Sequence, residues 1–322
     1  MINREILKTL LPVTDEEQAI LDGRRDVDRS LYSDENNGVV NSRKLLSEGK
    51  LIAIRPHTRF VHFPAHTHDY VEVVYMCQGS TVHTVNGNRI VLNEGELLFM
   101  SQGAVQEIEA AGGNDIAVNF IILPQFFDKS LAMLGNEDTP LKDFLIACLS
   151  ENTEGGFLHF RVSEVYPVQN LVENLLYTLI ADMPNKRQIN QMTMGLLILE
   201  LLNHTDKLAD GDNSPIIHVM RYIEEHYQNG SLTELADAMH YDFAWLSREI
   251  KRRTGKTYTE LLQEKRLSQA AYYLTNTDMK VDAVSLAVGY ENISYFHRLF
   301  AGRYGTSPKK YRSANKDTFS VI

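Results

Sequence analysis

The feature that most constrains this chain is a repeat near its C-terminal end. Residues 232–255, LTELADAMHYDFAWLSREIKRRTG, align on residues 281–305, VDAVSLAVGYENISYFHRLFAGRYG, with an offset of 49 up to a turn and 50 beyond it. Leu232 matches Val281, Leu235 matches Val284, Met239 matches Val288 and Tyr241 matches Tyr290. Past the turn, Leu246 matches Phe296, Arg248 matches Arg298, Ile250 matches Phe300 and Gly255 matches Gly305. In each copy the apolar residues recur at helical spacing, stop, and resume, which spells helix, tight turn, helix. One copy alone reads equally as an ordinary helical hairpin. Two copies with polar residues such as Ser294, His297 and Arg298 set between apolar anchors suit helices that enter a major groove. Held about 34 Å apart, they would reach successive grooves on one face of double-stranded DNA.

The repeat and its closing run, GYENISYFHRLFAGRYGTSPKKYR, resemble the DNA-binding domain of the AraC/XylS family of bacterial transcription regulators. The resemblance covers about 100 residues. It implies a sequence-specific regulator in which Ala244, Ser247 and Arg248 of the first reading helix face the groove, as do Ile293, Ser294, His297 and Arg298 of the second. An arginine fork can pair bidentately with guanine, so Arg248 and Arg298 are the foremost base readers. Lys251, Arg252, Arg303, Lys309 and Lys310 are expected at phosphates or as solvated charges. The first turn departs from the second by carrying His240 where Gly289 stands, and histidine tolerates the left-handed conformation better than most residues.

A net charge of -10 looks wrong for a DNA-binding chain until it is divided. Pro215 to Ala314 carries 14 Lys and Arg against 11 Asp and Glu, whereas residues 1–214 carry 17 against 30. Local phosphate contacts and helix N-termini supply affinity, so the modest basic excess suffices. No apolar run approaches the roughly 18 residues of a membrane span, and the amphipathic start is not expected to act as a secretory leader. A cytoplasmic protein is expected. Cys77 and Cys148 lie in separate apolar contexts, as buried free thiols rather than a disulfide or zinc site.

From Leu51 to about Leu123 the period becomes strand-like. The runs LIAIR, VEVVYMC, TVHTV, RIVL, ELLFM and IAVNFII are separated by turn signals such as Asn86-Gly87 and Asn93-Glu94-Gly95. That density of short strands predicts an antiparallel barrel or jelly roll. Within it, His66, His68 and Glu72 alternate as strand residues on one face, with Tyr70, Val74 and Met76. The pattern resembles the first cupin motif. Gly95 and Gly103 fit the second, but Ser101 and Gln106 replace its proline and its fourth ligand.

Two histidines and one carboxylate can hold Fe, Mn or Ni, and a metal-dependent cupin enzyme or metal sensor fused to a DNA-binding domain is therefore the rival reading. An amide is a poor ligand, however, and His66, His68, Glu72 and Gln106 suit a small polar effector such as a sugar better. Arg55 and Arg59 could add a cation for an acidic one. No cofactor and no other catalytic constellation is indicated; Thr254-Gly255-Lys256-Thr257 lacks the upstream glycine of a phosphate loop.

The expected architecture is α+β and multidomain. Residues 1–50 form a helical arm, with Thr14 and Glu17 as a capping box. Residues 51–163 form the cupin barrel, and residues 164–208 form two helices, 165–183 and 189–208, broken at Pro184-Asn185 and suited to a homodimer interface. Residues 209–214 are a linker and residues 315–322 a tail. The all-α domain, 215–314, opens on a helix over 216–227, and a helix from about 258 to 274 joins its two motifs. Effector binding would change operator or RNA polymerase contacts in the dimer.

Overall fold

The computed structural model describes residues 2–33, 38–127, 156–181, 185–209 and 214–316. Cys148 and most of the stretch from Pro124 to Gly156 lie outside them. Contacts divide the chain into two units with the main boundary between Ser214 and Pro215.

The first unit is built on ten strands among the described residues: β1 Val39–Val40, β2 Ile52–Pro56, β3 Phe63–His68, β4 Val71–Gln78, β5 Ser80–Val85, β6 Asn88–Asn93, β7 Leu97–Met100, β8 Gln106–Ile108, β9 Ile116–Ile122 and β10 Phe157–Phe160. They form two five-stranded sheets, in the orders β1-β3-β8-β5-β6 and β10-β7-β4-β9-β2. This is the double-sheet solution expected of many short strands. Burial follows from pattern: β5 alternates half-buried and buried positions and β6 largely alternates exposed and buried ones, whereas β4 is central in its sheet and nearly continuous in apolar residues. Asn86 and Gly87 both take positive φ, 50° and 81°, the paired left-handed turn that closes the β5–β6 hairpin.

One half of the interior is apolar, with Val74, Met76, Leu92, Leu98, Met100 and Phe157 packed together. The other half is polar and is described below. The N-terminal segment supplies α1 Arg4–Leu10, α2 Asp15–Leu21 and α3 Ser42–Leu45, and β1 adds to the first sheet by pairing in parallel with β3. The expected capping box is present, with Thr14 Oγ1 accepting from Glu17 N and Glu17 Oε2 accepting from Thr14 N.

Two helices follow the barrel, α4 Tyr166–Ile180 and α5 Lys186–Asn203. The second ends earlier than its apolar run predicts, because Thr205–Lys207 forms a separate turn and Leu208 bridges to Phe160 of β10. Gln169 fixes α4 to the barrel: its Oε1 accepts from Tyr75 OH at 2.6 Å and its Nε2 donates to the carbonyls of Gly95 and Val162.

The second unit is helical among the described residues: α6 Ser214–His226, α7 Leu232–Ala238, α8 Phe243–Thr254, α9 Tyr258–Asn276, α10 Val281–Ala287, α11 Ile293–Tyr304 and α12 Pro308–Lys316. The repeat is realised as α7–α8 and α10–α11, and α9 joins them, begun by a capping box between Thr257 and Glu260. Leu267, Ala270, Ala271 and Leu274 of α9 pack with Val284, Val288, Phe296 and Phe300 of the second motif. His240 and Gly289 both take positive φ, 57° and 87°. Glycine is needed only at the second turn, where a Cβ would stand 2.4 Å from the Gln228 carbonyl oxygen.

Candidate functional site

The polar half of the barrel is assembled from both sheets. The expected single strand through His66 and Glu72 is interrupted at Asp69-Tyr70, so His66 and His68 belong to β3 in one sheet and Glu72 to β4 in the other. The cause is non-local: Asp69 Oδ1 accepts from the Ser42 backbone N–H at 2.7 Å and turns the chain. Convergence survives the break. The His66 and His68 rings are 4.8 Å apart, His68 Nε2 lies 3.6 Å from Glu72 Oε2, and Gln106 pairs with His66 across the β3–β8 ladder.

Three further polar residues complete the group. Asn119 donates to Glu72 Oε1 at 2.9 Å and accepts at 3.0 Å from His57 Nδ1, while Gln106 Nε2 donates at 3.0 Å to His83 Nδ1. Sequence reasoning missed His57, His83 and Asn119. A signal existed for His83, which alternates with Thr81 and Val85 on the buried face of β5. The network orients the tautomers: His57 and His66 carry their proton on Nδ1, the latter bonded to the Pro64 carbonyl, and His83 carries it on Nε2 toward Thr81.

Burial controls the charge of this group, because moving an ionised side chain out of water disfavours its charged form. It lowers His66 to about 4, helped by the neighbouring His68, and His68 to about 3. His57 and His83 are pushed down and Glu72 is pushed up for the same reason. At neutral pH the imidazoles are neutral. Four buried atoms of the group have no hydrogen-bond partner: His57 Nε2, His68 Nδ1, Glu72 Oε2 and Gln106 Oε1. Beside them, between Tyr32, His66, His68, Tyr70 and Glu72, lies a cavity of about 30 Å³. Among the described residues, no group of three or more His, Cys, Asp or Glu is arranged to hold a metal ion.

The two arginines sit differently from the expectation of a free cation at the site. Arg55 lines the cavity, but its guanidinium is 2.6 Å from Glu16 Oε2 and lies over the Tyr32 ring. Arg59 is not brought to the cavity. It is buried, and its donors are taken by Glu17 and by the carbonyls of Leu11, Pro12 and Gly113. Cys77 is buried, and burial pushes its thiol up.

In the second unit the paired motifs present matching faces. Leu246 and Ile250 of α8, like Phe296 and Phe300 of α11, are buried, whereas Ala244 and Arg248, and Ser294 and Arg298, are exposed. Ser247, Ile293 and His297 are half-buried. Asp242 and Asn292 cap the two helices by accepting from the backbone of Trp245 and Tyr295. Arg252 is paired with Glu249, Lys251 lies 3.7 Å from Glu260, and Arg303 lies 3.9 Å from Glu264. Of these, the Lys251–Glu260 pair is exposed on both sides, and a pair of that kind is worth little and can be exchanged for a phosphate. Lys309 and Lys310 are exposed in the first turn of α12.

A double-sheet barrel with a polar interior, carried with two tandem helix-turn-helix motifs, defines a ligand-binding transcription regulator that contacts DNA. Residues 48–147 match the AraC-like ligand binding domain, and residues 235–314 match the helix-turn-helix domain family. The chain thus joins an AraC-like ligand binding domain to a helix-turn-helix domain, the arrangement of the AraC-family activators it is similar to.

Among its relatives is the HTH-type transcriptional activator RhaS of Escherichia fergusonii, 23% identical over 267 residues, covering 81% of this chain and 91% of RhaS. The HTH-type transcriptional activator RhaR of Escherichia coli K12 is 22% identical over 261 residues, covering 79% of this chain and 88% of RhaR. Of solved structures, a single-residue variant of apo ToxT from Vibrio cholerae matches at 11% identity and a TM-score of 0.37, covering 83% of this chain and 98% of ToxT. No described helix is long and apolar enough to cross a membrane.

Proposed function

We propose that the barrel binds a small, uncharged, hydroxyl-rich effector and that its occupancy changes how the regulator engages its operator. The observation that carries this reading is the set of four inward-facing atoms without partners. His57 Nε2, Glu72 Oε2 and Gln106 Oε1 are acceptors in the network described, so the complementary molecule brings donors, and adjacent hydroxyl groups supply them with the right reach. A sugar or related polyol fits. An acidic sugar fits less well, because Arg55 already faces Glu16 and Arg59 is engaged with Glu17. The free space suits about one water, so an effector enters only as the lining opens.

In the DNA-binding unit, Arg248 and Arg298 read bases, Ala244, Ser247, Ile293, Ser294 and His297 line the groove, and Lys251, Arg252, Arg303 and Lys309 contact phosphates. The exposed residues Ile189, Met192, Leu196 and Leu199 recur at 3-4-3 spacing along α5, a seam that supports homodimerisation through residues 164–208. The regulator works in the cytoplasm, where effector binding shifts the dimer between states that differ in DNA or RNA polymerase contacts.

Calorimetric titration of the full-length protein with neutral sugars, polyols, sugar acids and amino sugars tests the effector class. A saturable neutral ligand whose binding Glu72→Ala weakens at least tenfold supports the reading. Exclusive binding of acids or amines, or binding indifferent to Glu72→Ala, would overturn it.

A further inference from the structure

The two reading helices share an exposed residue that the groove-facing assignments omit. At the third position of α8 stands Trp245 and at the third position of α11 stands Tyr295, matched by the 50-residue offset. Each large ring is about two-fifths exposed, 38% and 42%, while the adjoining anchors Leu246 and Phe296 are fully buried. Each is also held. Trp245 stacks on Tyr241 with ring centroids 4.7 Å apart and planes 23° apart, and Tyr295 meets Tyr290 at 6.1 Å. The backbone N–H of each residue is fixed by the helix cap, to Asp242 or Asn292. Residues three apart on a helix are neighbours, so Trp245 lies beside Arg248 and Tyr295 beside Arg298. For the second pair the contact is direct, with the Arg298 guanidinium 5.2 Å from the Tyr295 ring centre.

An apolar ring beside a base-reading arginine faces whatever that arginine faces. In a major groove the one apolar group on a base edge is the C5-methyl of thymine. We propose that Trp245 and Tyr295 are apolar base readers that pack on thymine methyl groups, one in each half of the DNA site, next to the bases paired by Arg248 and Arg298. The rings are pre-positioned by their stacking partners, so little side-chain freedom is lost on binding. This rests on α8 and α11 being the groove-entering helices.

The test starts from duplexes selected out of a random DNA pool by the full-length protein, then remade with deoxyuridine for thymidine one position at a time. Uracil lacks only the methyl group. Burial of one such group is worth a factor of about 4 in affinity, so each half-site should contain a thymine whose replacement weakens wild-type binding by about that much. Trp245→Ala should erase the sensitivity in one half and Tyr295→Ala in the other, with arginine-dependent positions unchanged. Because both rings are exposed, the variants keep the core. Trp245 is the only tryptophan in the chain, so its fluorescence should also shift when the selected duplex saturates the wild-type protein.

Specific duplexes with no uracil-sensitive position, or sensitivity that survives both substitutions, would overturn the proposal. So would unchanged tryptophan emission, or variants that bind DNA normally but lose self-association, which would mark the rings as a protein contact. Failure to select any duplex would instead remove the underlying assignment of α8 and α11.

Discussion

Glu17 and Arg59 form a two-pronged ion pair inside the first unit, with Arg59 Nε 2.7 Å from Oε1 and Nη2 2.9 Å from Oε2 of Glu17. Glu17 also closes the capping box of α2, so one carboxylate both starts a helix and ties that helix to the barrel. Burial works to raise its pKa, but hydrogen bonds from Arg59 and Thr14 hold it below the usual carboxylate value. Breaking a buried pair strands the remaining charge, at a cost of about 3–5 kcal/mol. Arg59→Ala should therefore lower stability by that order in urea unfolding of the barrel, with the Glu17→Gln, Arg59→Ala double variant losing less than the sum. A loss under about 1 kcal/mol would mean that the pair behaves as a surface contact.

Acid should unfold the first unit from an unusually mild pH. His57, His66, His68 and His83 have folded values below the ordinary imidazole value near 6.5. Below that pH the unfolded chain takes up protons that the folded barrel refuses, so stability falls as pH falls from about 6.5 toward 4, by up to about 1.4 kcal/mol per pH unit for each imidazole. Glu72 acts oppositely: its raised value stabilises the fold at low pH and loses that contribution as pH rises. Four imidazoles outweigh one carboxyl. Melting temperatures measured between pH 7 and 4.5 should drop, and His68→Gln should flatten the slope; a flat wild-type profile would show that these rings are hydrated.

The two helix-turn-helix corners should respond oppositely to exchange of their central residues. Gly289→Ala places a methyl group 2.4 Å from the Gln228 carbonyl oxygen, on a backbone with φ of 87°, and should cost about 1–3 kcal/mol through overpacking. His240→Gly relieves a left-handed non-glycine residue and should leave stability within about 1 kcal/mol of wild type, on the stabilising side. Thermal unfolding of the two full-length variants decides it. Equal effects would contradict the different packing of the corners.

Arg298→Lys keeps the charge but removes the planar fork. On duplexes selected by the wild-type protein, the variant should lose about 1–3 kcal/mol of discrimination at one guanine while retaining its salt dependence. Uniform weakening at every sequence would show that Arg298 contacts phosphate only.

The helical unit was legible because its anchors are local. The spacing of Leu235, Leu246 and Ile250, and of Val284, Phe296 and Phe300, dictates two packed corners before any contact is known. The strands from β4 to β7 and β9 were legible for a similar reason, in their alternation and in Asn86-Gly87. What escaped depends on distant partners. The alternation from His66 to Glu72 runs unbroken through Asp69, and only the Ser42 backbone reveals the change of sheet. Arg55 and Arg59 read as ligand-facing because Glu16 and Glu17, about 40 residues earlier, carry no sequence mark of pairing with them. The strand Phe157–Phe160 went unread because it pairs with Leu97–Met100, far upstream.

The break at Asp69-Tyr70 also changes what an occupant of the barrel would do mechanically. Because His66 stands on one layer and Glu72 on the other, a molecule bridging them would be a strut between two plates otherwise coupled by side-chain packing. Its binding would register as stiffness, slowing the breathing of the layers even where no backbone atom travels far.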